Sequence, residues 1–478
     1  MEKTTCISKA DWVIAWDEDH RRHVYMCEAD VVFEGDTIVF VGRGYEGPVD
    51  NRVDGYKLCV MPGLVDIHAH PSTESSYRGI REDHGVPQMY MSGMYERSLA
   101  FQPDEQGNRA SSEAAYCELL KSGVTSLCDL ILPYPGWVDL VAKSGLRGFL
   151  GPAFASAHWQ LDNRHQLKYA WDRDKGRRDF EKSLKLIDRI QDHECGRLSG
   201  VVYPRQIDTC SEDLLRDSVA AARERNLPLT THAAQSVNEF NEMVNRHGQT
   251  PLQWAHKIGF LGPNCILAHV LFVDEHSWLH WWTREDIRLL AESGTTVAHC
   301  PTPFARYGQT LEHFGKYLKA GVNMSIGTDV APHNILEEMR SALVLARVAA
   351  EDLTAVSTSD ILHAATVGGA AALARDDLGR LSAGCKADIV LLDLDHPLMQ
   401  PARDPLRSLI YTAAERAVRD VYVDGIQVVK DREVLNLDQA DALGRLAEAQ
   451  ARMEKAVPDR DYAGRSALEI APLSLTRM

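Results

Sequence analysis

Between residues 60 and about 330 the chain alternates short apolar runs with segments of helical spacing. Val124–Cys128, 148–154, Leu229–His232, 265–270, 295–299 and 322–328 read as strands. Helical spacing fills the gaps at 114–121, 211–226, 237–246, 284–293 and 310–320. Gly123 stops the first of these helices. Ser211 is placed to cap the second, with Glu212 and Asp213 at its positive end. Repeated strand-then-helix units predict a parallel sheet under helices, and this many favour closure into a barrel.

The two ends read differently. Trp12–Trp16, Val31–Gly35 and Thr37–Gly42 are short β runs, matched far downstream by Ala387–Asp393 and Val418–Gly425. We therefore expect residues 1–60 and 380–436 to form one composite β-sandwich beside a barrel of residues 61–379. Residues 437–478 are expected to form a C-terminal helix, about 437–457, and a tail. The expected class is α/β, a distorted (β/α)8 TIM-like barrel with a flanking β-sandwich from both chain ends.

The 478 residues carry a formal net charge of −16, which argues against nucleic acid and anionic membrane as partners. No run of about 18 apolar residues predicts a membrane span. The first residues show no apolar signal core, and the ten cysteines form no C-x-x-C pair. Reduced thiols and a cytoplasmic location are expected.

Polar residues recur where the predicted strands end. His68 and His70 close the run Val60–Ile67, His232 closes Leu229–Thr231, His269 closes Cys265–Ala268, and Asp329 closes Val322–Thr328. Residues two apart on a strand point to one side, so His68 and His70 leave it as a chelating pair. Parallel barrels place their sites at these strand ends. Imidazoles and a carboxylate bind a divalent ion and leave a position for water, whose pKa falls toward neutrality. Asp329 suits the double role of ligand and base, and His269 is expected to steer the nucleophile or stabilise the oxyanion.

Pro62–His70, Tyr77–Gly79, Leu120–Thr125, Ala298–Pro301, Gly327–Asp329 and Gly379–Asp388 together resemble the amidohydrolase superfamily, in the branch of triazine hydrolases and adenosine- or cytosine-type deaminases. The resemblance covers nearly the whole chain. It implies one divalent ion per chain, zinc by default with cobalt, manganese or iron as substitutes, held by His68, His70, His232 and Asp329. Two-metal relatives commonly bridge their ions through a carboxylated lysine on the fourth strand. The corresponding run Ser199–Gln206 has no lysine, so a mononuclear centre is expected. Relatives are commonly dimers or larger, so a homo-oligomer is expected.

One position departs from the branch. A glutamate usually stands three residues after the third histidine and protonates a ring nitrogen or leaving group; here it is Gln235. Glutamine hydrogen-bonds but is no general acid. Glu239 would lie a turn further along a helix. The expected reaction is therefore hydrolysis of an acyclic amide, urea or (thio)carbamate of a small, largely apolar substrate, by activated water attacking its carbonyl. Phenylurea and molinate hydrolases are the relatives of that kind. The alternative is deamination or dechlorination of a triazine, purine or pyrimidine. A metal-free partner-binding scaffold conflicts with the retention of all five strand-end residues. Gln235, His158, Glu74, Tyr77 and His299 are candidate substrate contacts, as is Tyr90. Asn334 is expected to cap a helix, and Trp278, Trp281 and Trp282 to form a lid, a subunit contact or local packing. His20, His23, His84 and His256 are assigned no catalytic role.

Overall fold

The computed structural model describes residues 3–80, 92–163 and 165–478; Tyr90 and His84 lie outside them. Eight parallel barrel strands follow one another: β1 (Leu64–Ala69), β2 (Val124–Ile131), β3 (Arg147–Phe154), β4 (Leu198–Gly200, continued by Tyr203–Pro204), β5 (Leu229–Ala233), β6 (Cys265–His269), β7 (Thr296–His299) and β8 (Met324–Ile326). β1, β2 and β3 are buried along their whole length, as strands covered on both faces must be.

The ring is not evenly bonded. β1 to β4 form one sheet and β5 to β8 another. The halves meet at two seams made of isolated bridges, Val202 with Leu229 and Gln206 with His232 at one, Ala69 with Asp329 at the other. The second seam is clamped by Asp66, whose carboxylate accepts from the backbone N–H of His68 and Thr328 (both 3.1 Å) and from the Thr328 hydroxyl at 2.6 Å. Gly327 permits this approach, since a Cβ there would lie 2.7 Å from the Cβ of His68.

Both chain ends flank the barrel. Leu58–Pro62 pairs antiparallel with Ile389–Asp393 at the centre of a seven-stranded sheet. A four-stranded sheet of Thr37–Gly42, Ala29–Glu34, Thr4–Ala10 and Asn51–Asp54 lies against it. Ile7, Val31 and Phe33 from one sheet and Val60, Ile389 and Leu391 from the other share one apolar cluster. The flank meets the bottom of β3 through Arg147, which forks onto Asp388 (3.0 and 3.2 Å) and also reaches Asp424.

Two helix signals meet different fates. Asn334 does cap Ile335–Ala350, accepting from Glu337 N–H. Ser211 precedes Glu212–Arg225, but its hydroxyl makes no cap bond and instead meets that of Ser156 at 3.1 Å. The tail folds as Gln439–Lys455 followed by two short helices, and Ile470 packs with Tyr77, Ala100 and Phe101. No helix among the described residues is long and apolar enough to cross a membrane, and none of the ten cysteines is in a disulfide.

Candidate metal centre and active site

His68, His70, His232 and Asp329 come together at the C-terminal ends of the strands, each offering one ligand atom, all within 4.8 Å of one another. They come from both seams. His68, His70 and Asp329 sit at the junction of β1 and β8, and His232 sits where β5 meets the segment after β4.

The rings are set for metal binding by what their other nitrogens do. Nδ1–H of His70 donates to the carbonyl of Leu130 at 2.7 Å, and Nδ1–H of His232 to that of Arg205 at 2.6 Å. These bonds fix the tautomer and leave both Nε2 lone pairs facing inward, 3.2 Å apart. Asp329 Oδ1 lies 3.3 Å from Nε2 of His70 and 3.4 Å from Nε2 of His68. His68 is fully buried, and neither ring nitrogen has a hydrogen-bond partner. A buried imidazole without partners is costly unless something else satisfies it. A divalent ion fits this donor set, in which His70 and His232 are kept neutral. Burial, then the neighbouring His68, pushes His70 down to about 4, and burial with the other imidazoles holds His232 well below its usual value. Burial works to raise Asp329, but contact with His68 and the facing histidines hold its carboxyl well below the usual range.

His269 stands beside this set, its ring stacked on His232 at 5.2 Å and edge-on to Phe304 at 4.6 Å. Its Nδ1 is buried without a hydrogen-bond partner, and burial pushes its pKa down to about 3. His269 and Asp329 both hold positive φ, 77° and 56°, as does Ala234 at 51°. Non-glycine residues adopt this strained region rarely, and such strain gathers at functional sites.

A cavity of about 340 Å³ opens above these groups. Of the candidate substrate contacts, Glu74, Tyr77 and Gln235 line it. His158 does not. It alternates with Trp159 on the strand Ala157–Gln160, so Trp159 turns to the cavity while His158 is exposed beside a separate cleft. His299 does not line it either; it is buried against Phe314 at 5.3 Å. The three tryptophans of the 278–282 stretch stand away from the cavity, with Trp281 and Trp282 stacked at 3.6 Å.

Glu239 is the third residue of Val237–His247, but it does not point onward along the helix. Its carboxyl turns back and accepts from the backbone N–H of Ala234 (2.6 Å) and Gln235 (3.0 Å). Burial and the nearby Asp208 push it up to about 8. Glu239 therefore shapes the loop that presents Gln235 and is not itself in the cavity wall. The Gln235 amide is buried, and its Nε2 has no hydrogen-bond partner. The wall also holds Arg97, Arg205, Tyr203 and Phe304, none of which the sequence pattern singled out. Arg205 had a usable signal, since it follows β4 directly as the ligands follow their strands; Arg97 had none. The lining is mixed, these polar groups standing beside Leu130, Ile131, Pro303 and Val330.

Known proteins bear the same plan. Residues 59–428 match the model of the amidohydrolase family. A 5-methylthioadenosine/S-adenosylhomocysteine deaminase of Natronomonas pharaonis is 31% identical over 88% of this chain and 93% of its own. Among solved structures, an adenosine deaminase from Xanthomonas campestris with bound zinc superposes with a TM-score of 0.79 at 23% identity, covering 94% of this chain and 98% of that one. An atrazine chlorohydrolase from Arthrobacter aurescens complexed with zinc gives 0.79 at 23% identity, over 93% and 100%. The sequence similarity thus runs to adenosine-type deaminases, and the expected closeness to phenylurea and thiocarbamate hydrolases gives way to it. A match over so much of its length makes this chain a member of the amidohydrolase family.

Proposed function

We propose that the protein is a mononuclear, metal-dependent hydrolase that releases ammonia or an amine from an sp² carbon, with an amino-substituted N-heterocycle as the first substrate class. The observation that carries this reading is the likeness, over 88% of the chain, to a deaminase of adenosine derivatives. The mixed cavity wall, with Phe304 and Trp159 beside Gln235, Arg97 and Arg205, can take such a ring.

The ion, zinc by analogy with the zinc-bound neighbours, acidifies a water and polarises the electrophile when bound. Asp329 takes the proton of the attacking water and returns it to the departing nitrogen. His269, kept neutral by burial, orients the nucleophile and faces the charge that develops on oxygen. Gln235 donates a hydrogen bond from Nε2 to the ring nitrogen beside the attacked carbon, without transferring a proton.

That last point favours a second reading, hydrolysis of an acyclic amide, urea or (thio)carbamate. Such a carbonyl needs no ring protonation, so a glutamine in this position costs it nothing. Ammonia release from aminopurines, aminopyrimidines and aminotriazines, set beside amine release from N-aryl ureas and amides, separates the two. We expect ring deamination to dominate and to rise at least tenfold in Gln235→Glu. Amine release from ureas alone, unimproved by Gln235→Glu, would move the assignment to the second reading. Metal analysis of the reconstituted protein should give one equivalent per chain; two tightly held equivalents would reject the mononuclear assignment.

A further inference from the structure

The cavity contains two cations that the reaction above does not use. Arg97, on the helix Ser92–Ala100, is 5% exposed, and its Nε is buried with no hydrogen-bond partner among the described residues. Its guanidinium lies 4.8 Å from the ring of Tyr77 and donates to the Tyr307 hydroxyl at 3.3 Å. Neither contact neutralises it, and no carboxylate within salt-bridge distance is seen for it among the described residues. Arg205 faces the same cavity from the end of β4, exposed, also without such a carboxylate. Its backbone is fixed, since its N–H donates to the Phe154 carbonyl at 2.9 Å and its own carbonyl holds His232.

Both guanidinium groups line one cavity, which Tyr77 lines too. Burial raises the Tyr77 phenol, and Arg97, Arg205 and Arg460, in that order, pull it back. The other arginine that is buried among the described residues, Arg147, is paired with Asp388, while the half-buried Arg197 and Arg340 are met by backbone carbonyls. A buried guanidinium left without an anion is expensive, and a protein keeps one where a ligand completes it. Glu74 lines the cavity too, and Asp329 is committed to the ligand set.

We propose that the substrate carries a singly charged oxyanion, of which carboxylate is the common biological form, and that Arg97 and Arg205 bind it while the reacting carbon lies over the metal ligands. This rests on the reading above in taking the cavity as the substrate site. Guanidinium groups hold oxyanions through paired, charge-assisted hydrogen bonds, and a buried one discriminates strongly against a neutral isostere.

The test is binding to the zinc-loaded protein, with 3-phenylpropane-1-sulfonate and the neutral 3-phenylpropyl methyl sulfone as probes, read by calorimetry and by tryptophan fluorescence. Sulfonates and sulfones both ligate metal ions weakly, so a preference reports the arginines. We expect the sulfonate to bind about tenfold or more tightly than the sulfone, with the preference shrinking as salt is added. In Arg97→Gln and Arg205→Gln it should fall within threefold, while Arg173→Gln leaves it intact. Should Arg97→Gln fail to fold, Arg205→Gln decides alone, since that side chain is exposed. Equal binding of the two probes, or a preference surviving in the folded variants, would overturn the proposal. Turnover of neutral amines without any sulfonate preference would sink this inference alone. A preserved preference with no C–N turnover on any substrate would sink the reaction instead.

Discussion

The two ends of the barrel treat buried charge in opposite ways. At the bottom of β3, Arg147 is 3% exposed and every charge near it is answered: its guanidinium forks onto Asp388, and Asp388 also accepts from the Asp424 N–H at 2.9 Å. At the top, the rings of His68 and His269 and the amide of Gln235 keep buried polar atoms with no partner among the described residues, and His269 and Asp329 sit at strained φ. The contrast separates structure from function. Satisfied buried charge holds two layers together, whereas a cluster of unsatisfied, strained polar groups in one cavity marks a place where a ligand is to be bound. The top is also where the two half-barrels meet, so an ion there would tie four ligands from both seams.

Removing a group should therefore cost activity at one end and stability at the other. The largest effect is expected for Asp329→Ala, which takes away a ligand and the proton carrier together. Turnover should fall about 10²–10⁴-fold at saturating substrate, with the melting temperature of the metal-stripped protein nearly unchanged. Undiminished turnover in the metal-loaded variant would end the assignment of Asp329 as base.

Arg147→Met should show the reverse. It leaves Asp388 buried without its cation, a loss of about 3–5 kcal/mol in unfolding free energy. The folded fraction should keep its kcat, since Arg147 stands at the far end of β3 from the cavity. Chemical denaturation followed beside a kinetic assay checks both halves. A fall in kcat without loss of stability would erase the distinction between the ends.

Asp129 lies between these extremes and sharpens the comparison through pH. Its Oδ2 accepts from the Tyr116 hydroxyl at 2.6 Å and from Trp137 Nε1 at 2.9 Å, while Oδ1 has no partner. Burial outweighs these bonds and pushes its pKa up to about 7 from the usual carboxylate range. The folded state thus binds a proton that the unfolded chain has released. This contribution is complete below about pH 4 and is lost as pH rises through about 7, at up to about 1.4 kcal/mol per pH unit between the two pKa values. Asp129→Asn, always neutral, should flatten the stability profile between pH 4 and 7 relative to the parent. Parallel profiles would show that another group carries the slope.

Much of this was legible beforehand because it rests on local pattern. The strand–helix alternation gave the barrel, and the histidines and Asp329 were visible because ligands sit at strand ends, where apolar periodicity breaks. What escaped is what depends on side-chain direction. His158 and Trp159 are neighbours in sequence, yet strand alternation sends only Trp159 into the cavity. Glu239 lies on the helix after Gln235, as its spacing predicts, but its long side chain reaches back to the loop before it. Arg97 sits on a helix whose spacing says nothing about a cavity, and only the folded chain shows it against Tyr77, in the cavity that Arg205 also lines.

The smallest effect tests how the top end sets its ligands. Two groups approach Nδ1 of His232, the Arg205 carbonyl at 2.6 Å and the Tyr203 hydroxyl at 3.4 Å. A hydrogen bond weakens steeply with length, and an N–H donates one proton, so the carbonyl takes it and Tyr203 is a bystander to the tautomer. Partners that orient a ligand typically change metal affinity 10–100-fold when lost. Tyr203→Phe should therefore weaken zinc by less than about threefold in competition with a chelator, and leave kcat within twofold. A tenfold loss would mean that the hydroxyl holds the ring after all. The tautomer of His232 would then depend on a side chain and would be open to change by substitution, which the backbone carbonyl is not.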